Sequence, residues 1–182
     1  MSLRLSGGRK LQSPPGDKAR PTASRVRLAV MNMLAAEIPQ ASWLDLCCGS
    51  GVMGCEALQR GAARVVGVEQ DRSISQVARH NLELVSSGLA TAPAVNLVNQ
   101  EMLHWLRTAA VSPFDLIYAD PPYAAGLYEP MLQAISARGW LQPEGLVLLE
   151  YATKNPPGRP AGWRVVKEKS YGSSSVVLLC QE

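Results

Sequence analysis

The sequence predicts an α/β fold in which a mostly parallel sheet is covered by helices on both faces. Three observations carry this. Short apolar runs of strand length alternate with helical stretches of about 10–15 residues. A glycine-rich turn, Gly49-Ser50-Gly51-Val52-Met53-Gly54, stands where the first such run gives way to a helix. The last two runs, Trp163 to Lys169 and Ser174 to Leu179, have no helix between them and read as an antiparallel pair, which makes the sheet mixed.

The elements follow in order. Residues 1–21 contain Gly7-Gly8, Pro14-Pro15-Gly16 and Pro21, and read as an arm of turns with at most one short strand. Residues 22–182 then form a single domain. Thr22 to Glu37 read as a helix capped by Thr22, with Val26, Val30, Met33, Leu34 and Ile38 at helical spacing, and Pro39 stops it. The period then changes. Trp43 to Cys48 is a strand, Gly49-Ser50-Gly51 a tight turn, and Val52 to Arg60 a helix that ends at Gly61. Arg64 to Val68 is the next strand, and Asp71 caps a helix from Arg72 to about Ser86. Val95 to Val98 form a third strand and Met102 to Ala109 a helix. Phe114 to Ala119 is an apolar strand, followed by a helix near Tyr128 to Ala137 and a strand at Leu146 to Leu149. With the final pair this makes seven strands.

Composition narrows the class. The chain has 182 residues, enough for one domain with a sizeable core. It is 47% hydrophobic and 18% charged, which excludes a disordered chain. No apolar run reaches transmembrane length, and no secretory signal opens the chain. Cys47, Cys48, Cys55 and Cys180 make no C-x-x-C pair, and His80 and His104 lie far from them, so no metal site is expected. A cytosolic protein is expected. Net charge is +3, unevenly placed: residues 1–27 carry +6 and the remainder −3. Arg9, Lys10, Lys18, Arg20 and Arg25 in that basic segment suggest a polyanionic partner such as nucleic acid.

In a sheet of this kind ligands sit at the carboxyl ends of the strands. Three segments fall there: Asp45 to Gly51, Glu69, and Asp120-Pro121-Pro122-Tyr123. The glycine turn fits G-x-G-x-x-G, and Glu69 stands 20 residues after Gly49, where a carboxylate can accept hydrogen bonds from ribose hydroxyls. Charge selects among nucleoside cofactors. An anion at Asp45 would repel a pyrophosphate, but it attracts the ammonium and sulfonium of S-adenosylmethionine. A structural acid capping the turn is the other reading of Asp45. Glu101 stands where it could reach an adenine amino group or start a helix.

Asp45-Leu46-Cys47-Cys48-Gly49-Ser50-Gly51, Glu69 and Asp120-Pro121-Pro122-Tyr123 together resemble the class I S-adenosylmethionine-dependent methyltransferases. The last four residues match the [Asn/Asp]-Pro-Pro-[Tyr/Phe/Trp] motif of enzymes that methylate exocyclic amines of bases. Arg20-Pro21-Thr22, Arg25-Val26-Arg27, Glu56-Ala57-Leu58, Arg60-Gly61-Ala62, Gly139-Trp140-Leu141 and Glu150 extend the similarity to the bacterial 16S ribosomal RNA guanine-N2 methyltransferases of the RsmD type, over about residues 4–180. Cys47-Cys48 replace a usual aromatic and alanine, and Glu101 a usual Asp or Asn.

The resemblance implies a Rossmann-like three-layer α/β/α sandwich with a mixed seven-stranded sheet and a C-terminal antiparallel hairpin. It implies methyl transfer from S-adenosylmethionine to guanine N2, in the ribosomal RNA or the small ribosomal subunit, by a monomer. The cofactor would be held by Asp45, Cys47, Gly49, Ser50 and Gly51, together with Glu69, Gln70, Glu101 and Met102. Asp120, Pro121, Pro122 and Tyr123 would be catalytic. Asp120 and the Pro121 carbonyl would accept the two amine hydrogens, and Tyr123 would stack on the base. A DNA amino-methyltransferase and a non-catalytic RNA-binding module of the same fold are the competing readings. The first lacks room for a target-recognition module, and the second has no need of an intact Asp120 and Tyr123.

Overall fold

The computed structural model describes residues 3–15, 23–122, 126–158 and 161–182. Its strands are β1 (Ser42–Leu46), β2 (Arg64–Val68), β3 (Ala94–Val98), β4 (Phe114–Ala119), β5 (Leu141–Ala152), β6 (Trp163–Tyr171) and β7 (Ser174–Gln181). They form one sheet in the order β3-β2-β1-β4-β5-β7-β6. Pairing is parallel from β3 to β5 and antiparallel for β5–β7 and β7–β6. The helices are α1 (Ser24–Met33), α2 (Val52–Gln59), α3 (Arg72–Ser86), α4 (Met102–Thr108) and α5 (Tyr128–Arg138). No helix among the described residues is long and apolar enough to cross a membrane.

The central strands are apolar in both registers because both faces are covered. Trp43, Val65, Leu116, Tyr118 and Leu148 pack in one core with α1, α2 and α3. Leu44, Leu46, Val66, Val68, Ile117 and Leu149 pack in a second core with α4 and α5. Asp45 shares the face of Trp43 and meets α2.

Three boundaries differ from expectation. The first helix is α1, with Ala23 at its N-cap position and no side-chain capping bond; Thr22 lies outside the described residues. Its expected last turn is replaced by turns after Leu34. The fifth strand begins at Leu141, five residues early, and the β4–β5 register shifts between Phe114 and Leu116. Pro143, which donates nothing to a ladder, disguised this stretch as a loop, and the irregularity accommodates it.

The basic segment also differs. Residues 3–11 fold back on themselves, with Arg4 and Lys10 in an antiparallel bridge and Leu5 N–H bonded to Arg9 O at 2.9 Å. Leu3, Leu5 and Leu11 are buried in the α1–α3 core. Glu56 on α2, fully buried, accepts hydrogen bonds from Ser6 N–H and Ser6 Oγ, from Arg27 Nε at 3.0 Å, and from Arg60. Arg27 Nη2 in turn donates to Arg4 O. The first part of the segment is therefore docked onto the domain, and Arg27 is a buried ion-pair partner, not a free cation.

Candidate active site

Where β1 ends the backbone turns abruptly. Cys47 has φ of 59°, a left-handed conformation rare for a residue with a side chain and typical of functional turns. Gly51 has φ of 75° at the N-cap of α2. A Cβ there would stand 3.3 Å from the Ala78 Cβ of α3, and a Cβ at Gly54 would stand 2.9 Å from Val65 Cγ1 of β2. The glycines let α2 lie close to both neighbours, which draws the turn over the ends of β1 and β2.

Glu69, at the end of β2, binds this turn. Its Oε2 accepts from Gly49 N–H at 3.0 Å and its Oε1 from Asp71 N–H at 2.9 Å. Asp71 caps α3 by accepting from Ser73 N–H and Ile74 N–H. Asn99 Nδ2 donates to the carbonyls of Glu69 and Gln70, which fixes the backbone on the other side. Gln70 itself is exposed.

Asp45 is 1% exposed. Its Oδ2 accepts from Gly54 N–H at 3.3 Å, so the structural reading is partly present. Its Oδ1 is buried and takes no hydrogen bond among the described residues. Burial pushes the carboxyl well above its ordinary range, Gly54 N–H offsets part of this, and the charges of Asp120 and Glu69 push it further. An orphaned buried carboxylate oxygen suits a cationic donor.

Cys47 is pushed up to about 12 by burial first, then by Glu69, Asp45, Asp120 and Glu101. A thiol so placed is no nucleophile. The register carries the same proximity: Leu46 pairs with Val68 on one side and Ala119 on the other, so Cys47, Glu69 and Asp120 follow one another at adjacent strand ends. Cys47 Sγ lies 3.7 Å from Met102 Sδ, which brings the start of α4 to the same place. Glu101 uses both carboxylate oxygens to cap α4, accepting from Leu103 N–H at 2.9 Å and His104 N–H at 2.7 Å. The helix-starting reading is thus realised, and Glu101 is exposed. Among the described residues, no group of three or more His, Cys, Asp or Glu could hold a metal ion.

Asp120 follows β4 directly and is half-buried; Pro121 is buried and Pro122 exposed. Tyr123 lies outside the described residues. Glu150 ties both flanks of this segment. Its Oε2 accepts from Tyr118 Oη at 2.8 Å, two residues before Asp120, and its main-chain carbonyl accepts from Tyr128 Oη at 2.8 Å, at the start of α5.

Two positioning residues carry no local signal. Asn81 on α3, fully buried, accepts from Gln12 N–H at 2.8 Å and donates to Gln12 O and Ser50 O, both at 2.9 Å. Ser50 is itself buried. Glu150 was visible only as a matching residue.

Among the described residues, Arg9, Lys10 and Arg25 lie apart. Lys10 is exposed. Arg9 is half-buried, its guanidinium against Gly88 beyond the far end of α3, roughly 20 Å along the helix from the cleft at 1.5 Å per residue. Arg25 is exposed and lies over Tyr171, 6.0 Å from the ring centroid. Lys18 and Arg20 lie outside the described residues.

Comparison with known proteins bears on this site. Residues 5–180 match the family model described as conserved hypothetical protein 95. The ribosomal RNA small subunit methyltransferase D of Escherichia coli is 36% identical over 176 residues, covering 96% of this chain and 86% of that protein. Its Haemophilus influenzae counterpart is 32% identical, covering 94% and 88%. The solved structure of an Escherichia coli protein assigned as a methyltransferase superposes with a TM-score of 0.86 at 34% identity, covering 100% of this chain and 99% of that one.

Proposed function

The chain belongs to the conserved hypothetical protein 95 family, which includes the ribosomal RNA small subunit methyltransferases D, and from that premise we propose that it methylates the exocyclic N2 amine of a guanine in 16S ribosomal RNA, with S-adenosylmethionine as donor. The observation that carries this reading is the parallel register that sets the ends of β1, β2 and β4 side by side, with Glu69 bound to the glycine turn on one side and Asp120 following β4 on the other. In this reading Asp120 would be the hydrogen-bond acceptor for a reacting amine, next to Asp45 and Glu69 as acceptors for a cationic nucleoside.

Asp45 Oδ1 would take the ammonium of the cofactor, and Glu69 its ribose hydroxyls while still holding Gly49 N–H. The amides of Gly49 to Gly51, the rim at Gln70 and Glu101, and the side chains of Cys47 and Met102 would line the rest. When bound, S-adenosylmethionine supplies an electrophilic methyl group on a sulfonium.

The chain's own work is alignment. A guanine amine is a weak nucleophile because its lone pair is delocalised into the ring. Asp120 Oδ and the Pro121 carbonyl would each accept one amine hydrogen, which draws the nitrogen toward tetrahedral geometry and frees the lone pair. Prolines at 121 and 122 restrict the acceptors to one arrangement. Tyr123 would stack on the base that leaves the helix. The place of action is the cytoplasm, on naked ribosomal RNA or the small subunit.

The test is incubation of the purified protein with methyl-labelled S-adenosylmethionine and either 16S RNA or small subunits, followed by nucleoside mass spectrometry. N2-methylguanosine is the expected product. Label in N6-methyladenosine or N4-methylcytidine, or in DNA, would move the assignment to another amino-methyltransferase, and no label with bound RNA would leave only a binding module.

A further inference from the structure

We propose that β6 carries a second RNA-contacting surface, a cationic stripe that takes the ribose–phosphate backbone next to the target base. The inference rests on the RNA-methyltransferase reading above and adds to it a surface outside the N-terminal segment.

Register fixes where β6 lies. Ala119 pairs with Leu149, Leu149 with Val177, and Val177 with Glu168. Lys169 and Tyr171 therefore stand beyond the level of Ala119, at the height of Asp120 and the residues that follow it. Three strand spacings of about 4.8 Å separate β4 from β6, roughly 14 Å in all. About four stacked nucleotides at roughly 3.4 Å each cover that distance.

Register also fixes which way the side chains point. Arg164, Lys167 and Lys169 pair with Cys180, Leu178 and Val176. Leu178 and Val176 belong to the core on the α1–α3 face, and Tyr171 packs against that same core. The irregularity between Val165 and Lys167 keeps Arg164 in phase with the two lysines. All three cations are exposed. The one acid of the strand, Glu168, faces the other way and is hydrogen-bonded to Tyr151. At the cleft end of the stripe Arg25 reaches from α1 over the Tyr171 ring and adds a fourth cation. No acidic residue occurs on α1. The result is a one-sign row along an edge strand, ending on a guanidinium–aromatic pair level with the catalytic motif.

Lysines on an edge strand also discourage edge-to-edge pairing, and the experiment separates the two roles. The Lys167→Ala/Lys169→Ala double variant is compared with wild type for RNA affinity across a salt series, for S-adenosylmethionine affinity, and for size by light scattering. The proposal expects unchanged cofactor affinity, a monodisperse variant, and a log-affinity against log-salt slope shallower by roughly 1.4–1.8, the loss of two phosphate contacts. An unchanged slope in a variant that still binds RNA overturns the stripe, as does a variant whose sole defect is self-association. If wild type itself neither binds nor methylates ribosomal RNA, it is the function that fails, and the stripe falls with it.

Discussion

Asn81 and Gln12 hold each other by a reciprocal pair of hydrogen bonds, side-chain oxygen to backbone N–H and side-chain amide to backbone carbonyl. The same amide also reaches Ser50 O in the glycine turn. One buried side chain therefore joins the N-terminal segment to the candidate cofactor site.

Asn81→Ala is expected to leave three backbone groups without this partner, the N–H and carbonyl of Gln12 and the buried carbonyl of Ser50. At about 1–3 kcal/mol for an unsatisfied buried group, and with partial relaxation, the variant should lose about 2–3 kcal/mol of stability. Binding of S-adenosylmethionine should weaken too, because Ser50 loses its anchor. Urea unfolding and calorimetry measure both; an affinity that is untouched in a destabilised variant would confine Asn81 to a structural role.

Glu56 is the deeper anchor. Glu56→Ala leaves Arg27 charged, buried and unpaired, which should cost about 3–5 kcal/mol. Removal of residues 1–15 should also be destabilising, since Leu3, Leu5 and Leu11 would leave the core exposed. Chemical denaturation of each variant gives the result, and a truncated protein as stable as the parent would mean that the docked segment contributes nothing.

Asp45 makes stability depend on pH in an unusual direction. Burial raises its carboxyl well above 3.8. Between 3.8 and that raised value, the native state keeps a proton that the unfolded state has lost, so this group's contribution falls as pH rises. In Asp45→Asn the effect is absent. The stability difference between variant and wild type should therefore shift in favour of the variant as pH rises through that window, while its affinity for S-adenosylmethionine drops. Parallel stability curves from pH-series denaturation would refute the assignment.

Glu69 holds two backbone N–H groups besides its proposed ribose contacts. Glu69→Ala should weaken S-adenosylmethionine binding by about 1.5–3 kcal/mol, and should lower stability because Gly49 and Asp71 lose a charged acceptor. Glu69→Gln separates the effects by keeping one acceptor. Calorimetry showing native affinity in Glu69→Ala would remove the ribose role.

Asp120 ends a strand and fills no core, so Asp120→Ala should fold. Loss of one preorganised polar partner of the reacting amine should slow single-turnover methyl transfer by about 10²–10³. Tyr123→Ala should weaken base binding by about 1–3 kcal/mol, whereas Tyr123→Phe keeps the ring and should be nearly silent. Full activity in Asp120→Ala would make the motif a turn and nothing more.

What could be read in the sequence was what is local. The glycine turn, the Asp71 cap and the ends of β2 and β4 all follow from patterns within a few residues, and each is where the spacing puts it. Asn81, Glu56 and Glu150 escaped that reading because their partners lie far away in the chain: Gln12 is 69 residues from Asn81, and Ser6 is 50 from Glu56. Each looks like an ordinary polar residue on a helix or strand until the partner is known. The N-terminal segment misled for a related reason. Its cations dominate the composition, while Leu3, Leu5 and Leu11, separated by glycines and charges, are too few to mark a sustained pattern. Glu101 stood evenly between two roles, and the capping role is the one its backbone neighbours realise.

Glu150 fastens Tyr118 and Tyr128 from a single position on β5. The strand end before Asp120 and the first turn of α5 are thus held to one residue of a neighbouring strand. A displacement of β5 at that residue would reach both flanks of the motif together, so β5, which the expected chemistry never touches, is a lever on the geometry of Asp120.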